Sequence, residues 1–292
     1  MLFEKPLVSI LMVTYNHEKF IAFAIESVLA SSYDYFELIV VDDFSKDNTY
    51  SIALSYQEKD PRVKLYRNEQ NIGDYPNRNK AASYATGKYL KYLDGDDMIY
   101  PDSLKIMVHA MERYPEAALG LQQQITDDFA PYPILVNQQW VIRTHFLERG
   151  VLNSGPSGAI FKTDIFRQIG GFSGEKFVGD SDLWIRMAFK YPVILLQPSL
   201  VWWRIHPAQE SKNEARDRNM ILVRYKLYKK FIATPECPIT DKDKRKALLK
   251  LNRRFIMNVF LKLKNGEGIR YSISLLKDAS ISLKDFLKAI LH

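Results

Sequence analysis

Cysteine is almost absent: Cys237 stands alone among 292 residues. That excludes an intramolecular disulfide and any cysteine-rich metal cluster, and it fits a reducing cytoplasm. Long apolar runs are absent as well. No stretch approaches the roughly 20 residues that cross a bilayer. The opening MLFEKPLVSILMVTYN has neither the apolar length nor the small-residue cleavage site of a secretory signal. Glycine-rich phosphate loops are missing. Neither GxxxxGKS nor GxxxxGKT occurs, and no GxGxxG follows the first apolar run, which argues against a P-loop NTPase and a dinucleotide oxidoreductase. No internal repeat or low-complexity segment is present.

What is there is a composition 47% hydrophobic and 26% charged, enough to bury a full core. The formal charge of +7 is uneven. Residues 212–292 carry 20 basic and 8 acidic side chains, while residues 1–211 carry 21 basic and 26 acidic ones. The basic character therefore belongs to the tail.

The first 113 residues alternate in type. VSILMVTYN, FELIVVDD, VKLYRN and KYLKYLD read as strands, and the first is apolar throughout, as in a strand buried on both faces. EKFIAFAIESVLAS, KDNTYSIALSYQEKD, PNRNKAASYATG and PDSLKIMVHAMERYP read as the helices between and after them. This order predicts an α/β fold: a mostly parallel Rossmann-like central sheet flanked by helices, with a C-terminal helical appendage. AALGLQQQ reads as a strand, residues 125–157 as loop-rich, FKTDIFRQIGGF and DSDLWIRMAFKYP as helices, and VILLQPSLVWWRIH as one or two strands. The expected division is a catalytic domain over 1–211, with halves meeting near 113, and a basic helical region over 212–292.

In an open parallel sheet, ligands bind beyond the carboxyl ends of the strands. Here the first strand ends in Thr14, Tyr15 and Asn16, the second in Asp42 and Asp43, and the fourth in Asp94, Asp96 and Asp97. Carboxylates packed this closely repel unless a cation compensates. Oxygen donors suit Mg²⁺ or Mn²⁺ shared with substrate phosphates. Asp94 to Asp97 thus read as a metal clamp for a diphosphate, with Asp97 equally suited to capping the next turn.

VSILMVTYNHEKFIAFAIESVLASSY, FELIVVDDFSKDNT and NIGDYPNRNKAASYATGKYLKYLDGDDMIYPDSL resemble, in order and spacing, the family-2 glycosyltransferases of type-A fold. The resemblance covers roughly residues 6–210. It implies an inverting enzyme that moves a sugar from a nucleotide-diphosphate donor, a UDP-sugar by preference, to a hydroxyl acceptor. It implies that Thr14, Tyr15 and Asp43 line the base and ribose pocket, that Asn16 shapes the turn, and that Arg78 lies near the nucleotide. Asp94 and Asp96 match the DXD acids: Asp96 would ligate Mn²⁺ or Mg²⁺, and Asp94 would face ribose or the metal. SGPSGAIFK resembles the acceptor-side loop, so Gly155 and Gly158 would let a sugar approach the backbone. VGDSDLWIRM resembles the motif that carries the catalytic base, but the usual Glu-Asp pair is here Gly179-Asp180. Asp180 is the expected base, with Asp182 the alternative on the sugar side. In WWRIHPAQES, His206 matches a histidine that approaches the metal, and Trp203 or Trp202 would stack on a sugar.

The tail offers aromatic and basic stretches with an apolar face, such as VRYKLYKKF and KRKALLKLNRRF. It reads as a helical appendage or as a peripheral contact with an anionic membrane, where a lipid-linked saccharide acceptor would reside. No recognition motif accompanies the charge, so nucleic acid is not expected. The expected location is cytoplasmic, peripheral at the inner membrane face, in bacterial surface polysaccharide or glycolipid synthesis. The alternatives are a catalytically degenerate nucleotide-sugar-binding protein and a sugar nucleotidyltransferase.

Overall fold

A computed structural model describes residues 5–124, 130–207, 209 and 219–291. The chain forms two compact units, residues 5–138 with 151–205, and 139–150 with 206–291. The expected domain boundary near 211 falls among residues outside the description, and residues 139–150 group with the tail helices.

In the first unit the strands are β1 (Val8–Thr14), β2 (Phe36–Asp42), β3 (Val63–Arg67), β4 (Tyr89–Asp94), β6 (Leu119–Gln122), β7 (Ile134–Val136), β8 (Ala159–Lys162) and β9 (Val193–Leu196). They form one sheet in the order β3-β2-β1-β4-β8-β6-β9-β7. A two-stranded ribbon, β5 (Met98–Ile99) against β10 (Val201–Trp202), stands apart. The β3-β2-β1-β4 half is parallel, as the strand-helix alternation requires. The other half is mixed: β8 runs antiparallel to β4 and β6, and β7 antiparallel to β9. The sheet is thus parallel mainly in its β3-β2-β1-β4 half.

The helices of this unit are α1 (Ile21–Leu29), α2 (Thr49–Gln57), α3 (Asp74–Ser83), α4 (Ser103–Arg113), α6 (Thr163–Ile169) and α7 (Gly179–Lys190). Their apolar spacing explains their packing. In α1, Ile21, Ala24, Ile25 and Val28 are buried, and in α4, Leu104, Met107, Val108 and Met111. Both sets follow the i, i+3, i+4, i+7 stripe of a helix laid on a sheet. β1 is buried at every position, as its apolar run predicts.

Residues 125–157 were expected to be loop-rich, yet they hold β7, the helix α5 (Gln138–Leu147) and a 3-10 turn at Pro156–Gly158. The strand has three residues and follows Pro131 and Pro133, which mask its signal. The helix buries Val141, Ile142, Thr144, His145 and Phe146, a polar-apolar mixture without a clean stripe.

The second unit contains α5, α8 (Met220–Ala233), α9 (Asp241–Lys264), α10 (Ile269–Asp278) and α11 (Leu283–Leu291). Leu222, Tyr225, Phe255, Val259, Leu275 and Ala279 form its core. Thr240 caps α9 by accepting from the Asp243 amide at 3.1 Å. The TPECP segment joins α8 to α9, with Cys237 buried in it.

Candidate active site

The register of β1 builds the site. Thr14 is level with Asp42 on one side, and Val13 with Asp94 on the other. The polar ends of β1, β2 and β4 therefore share one edge of the sheet, as the strand order predicts.

At the β4 end, carboxylate oxygens of Asp94, Asp96 and Asp97 lie within 4.8 Å of one another. Three close features let these acids converge. Gly95 has no room for a side chain: a Cβ would stand 2.8 Å from Thr14 Oγ1 and 2.9 Å from His17 Nδ1. Asp94 donates its amide to Ser157 Oγ at 3.1 Å. Arg204, just after β10, donates its amide to Asp97 Oδ1 (3.1 Å) and its Nε to the Asp96 carbonyl (2.9 Å).

The charges are unevenly compensated. Burial, with Asp94 and Asp96 nearby, pushes the Asp97 carboxyl up to about 7. Burial acts on Asp94 in the same direction, but the Arg78 guanidinium, 2.7 Å away, outweighs it and holds Asp94 below its usual range. Imidazole Nε2 of His17 stands 4.0 Å from Asp96. Three hard oxygen donors crowded in partial burial fit a divalent cation such as Mg²⁺ or Mn²⁺. Asp97 gives the physical sign of that fit, since a cation would offset the burial and the repulsion that raise its carboxyl.

Several expected nucleotide residues have structural partners. The Asp43 carboxylate accepts from Asn68 Nδ2 (2.7 Å) and from the amides of Ile72 and Gly73 (both 2.9 Å). It organises the loop that leads into α3, and any base or ribose contact would come in addition. Arg78 is buried and bridges Asp74 (2.8 Å) and Asp94 (2.7 Å), so its guanidinium braces the acidic motif. Asn16 adopts φ +56°, accepts from the Lys46 amide at 2.8 Å and donates its own to Ser45 Oγ at 2.9 Å, the turn-shaping role expected of it. Thr14 Oγ1 is buried without a hydrogen-bond partner, and the Tyr15 side chain is exposed.

On the other side of β4, Lys91 is fully buried. Its ammonium donates to the carbonyls of Tyr92 (2.5 Å) and Ser157. Sequence reasoning overlooked this residue, although a lysine inside the apolar run YLKYL was its visible signal. Within the expected acceptor loop, Gly155 faces open space, and Gly158 is packed against Ser154, Gln122 and Trp203. Trp203 is a partly buried member of the core, and the exposed indole is Trp202, under the Arg204 guanidinium.

Asp180 and Asp182 open α7 and diverge. Asp182 is buried and accepts from Arg186 Nε at 2.7 Å; Arg186 in turn holds the carbonyls of Ile169 and Gly171. Through Arg186, Asp182 braces the end of α6. Asp180 is half-buried, and its Oδ1 accepts from the Ser181 amide at 2.6 Å. It lies beside Tyr75, the second residue of α3, whose neighbours Asp74 and Arg78 lead to Asp94. Tyr75, Asp74, Ser157 and Arg204 all went unread in the sequence, because each acts through a partner distant in the chain. His206 belongs to the second compact unit and is buried.

Residues 9–170 match the family model described as Glycosyl transferase family 2. The chain is 40% identical over 110 residues to the putative teichuronic acid biosynthesis glycosyltransferase TuaG of Bacillus subtilis, covering 37% of this chain and 44% of that protein. It is 36% identical over 135 residues to the UDP-Glc:alpha-D-GlcNAc-diphosphoundecaprenol beta-1,3-glucosyltransferase WfgD of Escherichia coli, covering 46% and 49%. The matches thus span under half the length of these relatives. Among solved structures, S. aureus TarS 1-349 in complex with UDP-GlcNAc superposes with a TM-score of 0.71 at 20% identity, over 97% of this chain and 81% of that one. The mannosyltransferase PcManGT of Pyrobaculum calidifontis, in complex with GDP-Man and Mn²⁺, gives 0.64 at 18% identity, over 99% and 87%. At these identities the likeness is one of fold.

Proposed function

This chain belongs to glycosyl transferase family 2, and from that premise we propose that it is an inverting glycosyltransferase acting on a nucleotide-diphosphate sugar. The observation that carries the reading is the meeting of three carboxylates at the carboxyl end of β4, beside the polar ends of β1 and β2. An open α/β sheet binds its ligands at that edge. UDP is the favoured carrier, in keeping with the donors named for WfgD and TarS. A saccharide built for the cell surface, on a lipid carrier, is the favoured acceptor, in keeping with the names of TuaG and WfgD.

Asp94 and Asp96 would hold Mn²⁺ or Mg²⁺, which when bound supplies positive charge to the departing diphosphate. Arg78 fixes the direction of Asp94, and Arg204 holds the Asp96 carbonyl and the Asp97 carboxylate. Asp180 acts as the general base. It takes the proton of the acceptor hydroxyl while that oxygen bonds to the anomeric carbon and the bond to the diphosphate oxygen breaks. One displacement inverts the anomeric centre. Thr14, with its unpartnered buried hydroxyl, and exposed Tyr15 are the nucleotide contacts on β1.

No helix among the described residues is long and apolar enough to cross a membrane. Peripheral contact is favoured by exposed Met257, Phe260, Leu261, Ile269, Ile273, Leu283 and Leu287 on the basic tail helices.

The reading is tested by thermal shift with UDP, GDP and dTDP, each with Mn²⁺, Mg²⁺ or chelator, on wild type, Asp96→Asn and Asp180→Asn. A ligand specific to the native state raises stability by RT ln(1 + [L]/Kd). The expected result is a metal-dependent shift with UDP, lost in Asp96→Asn and kept in Asp180→Asn, while Asp180→Asn loses sugar transfer. Wild-type transfer by Asp180→Asn would remove it as the base, and no shift with any nucleotide would refute donor binding.

A further inference from the structure

Position 179, where the resemblance calls for glutamate, is glycine, and the structure gives the reason. A Cβ at Gly179 would stand 2.7 Å from Cε2 and Cζ of Tyr75 and 2.8 Å from Cδ2. The obstacle is the body of a ring, not the tip of a flexible chain. That ring has little freedom to withdraw. It stacks on Phe172 with centroids 5.3 Å apart. Phe172 is fixed to α3 on both sides of its main chain: its amide donates to Asn79 Oδ1 at 2.9 Å, and its carbonyl accepts from Asn79 Nδ2 at 2.8 Å. Its own ring packs edge-on against Tyr92 and Trp184. Tyr75 is thus clamped between the start of α7 and an aromatic cluster anchored on its own helix.

The hydroxyl end of Tyr75 meets Asp180. The first amides of a helix lack intrahelical acceptors and need outside partners. α7 has none from its own flank, because the residue before it is Val178, whose side chain cannot cap. The Tyr75 hydroxyl lies beside the main chain of Asp180 there. Burial and the neighbouring charges of Asp180 and Asp74 push the phenol well above its usual range, so it stays protonated. One side chain of α3 therefore fills the volume above Gly179 and packs against the turn that carries Asp180.

We propose that Tyr75 is the positioning residue for Asp180: its ring occupies the place of a side chain at 179, and its hydroxyl fixes the first turn of α7 and so the direction of the Asp180 carboxylate. The inference rests on the reading of Asp180 as base. It makes Gly179 a necessary partner of Tyr75, and it links the base to the acidic motif through Tyr75, Asp74, Arg78 and Asp94.

The test uses the full chain with Mn²⁺ and reads nucleoside diphosphate released from UDP-glucose, UDP-N-acetylglucosamine and GDP-mannose, with water as the acceptor. Tyr75→Phe keeps the ring and removes the hydroxyl beside Asp180. Loss of that hydroxyl is expected to lower kcat about five- to tenfold, with KM and the UDP-induced thermal shift unchanged. A second measurement needs no turnover. Gly179→Ala should lower the melting temperature by about 2–8 °C in the wild-type background, and by nothing further once Tyr75→Ala has removed the ring. Wild-type kcat in Tyr75→Phe, or an equal drop from Gly179→Ala with and without the ring, would overturn the proposal. Asp180→Asn, run in parallel, separates the two ideas. If it is inactive while Tyr75→Phe is normal, only the positioning role fails; if it turns over normally, the base assignment fails and the positioning role with it.

Discussion

Replacing Arg78 by methionine asks whether the acidic motif is held by its own buried cation. The guanidinium side chain is 7% exposed and bridges two carboxylates, Asp74 through Nε at 2.8 Å and Asp94 through Nη1 at 2.7 Å. Methionine fills most of the volume but leaves both acids facing each other in partial burial. Removing one partner of a buried ion pair costs about 3–5 kcal/mol, because the charge left behind has lost its compensation. At roughly 2–4 °C per kcal/mol for a unit of this size, the melting temperature should fall by about 6–20 °C. Coupling is the sharper assay. Adding Asp74→Asn removes one of the stranded charges, so Arg78→Met with Asp74→Asn should be more stable than the sum of the two single losses allows. Arg78→Lys should fall between, since one ammonium cannot present two separated donors to two carboxylates. Urea unfolding of the four proteins at pH 7 gives the cycle. Strict additivity, or a loss below about 1 kcal/mol for Arg78→Met, would refute the idea that Arg78 braces the motif.

Glu37, at the amino end of β2, accepts from Ser9, the amide and hydroxyl of Thr86, and Lys64. Burial alone would raise its pKa, but those donors hold it down to about 2 from 4.5, worth about 2–3 kcal/mol after allowance for the solvent-facing Lys64. That stability is present above pH 4.5 and lost as pH falls through 2, so Glu37→Gln should flatten the acid limb of the unfolding curve; an unchanged limb refutes it. Burial lowers Lys91 to about 7, so the unfolded state binds the extra proton between pH 7 and 10.5 and wild-type stability gains there. The stability of Lys91→Met relative to wild type should therefore fall by about 5 kcal/mol from pH 6.5 to 10.5, and parallel curves would contradict it. Flotation with phosphatidylglycerol vesicles should exceed that with phosphatidylcholine and weaken in Leu283→Ser with Leu287→Ser; equal flotation in all arms sinks the membrane reading.

The parallel half of the sheet was legible because its evidence is local. VSILMVT, FELIVVD and YLKYLD are short apolar runs separated by helical stripes, and each ends in the polar residues that mark a strand's carboxyl end. The mixed half was less legible, because direction is set by pairing, and β8 reverses against β4 without any local mark. The acidic cluster was readable for the same reason as β4, since three acids in four positions are contiguous. The partners of those acids were not. Those of Asp43, namely Asn68, Ile72 and Gly73, lie 25 to 30 positions away. The Asp74-Arg78 pair at i, i+4 was within reach of helix periodicity, yet its third member, Asp94, is 16 positions on. Gly179 stands in the sequence only as a departure from the motif, and the ring that fills its place, Tyr75, is 104 positions earlier.

The ribbon of β5 and β10 has a consequence for the order in which the chain matures. Asp97 receives the Arg204 amide across 107 positions of sequence. At about 5–20 residues per second, a ribosome needs roughly 5–20 s to make that interval. During that time the β1-to-β4 half can pair by short crossovers, whereas Asp96 and Asp97 wait without the arginine that holds the Asp96 carbonyl and the Asp97 carboxylate. A nascent chain halted before Arg204 would hold a formed β1-to-β4 sheet while Asp96 and Asp97 lack their Arg204 contacts, which arrive only with the ribbon.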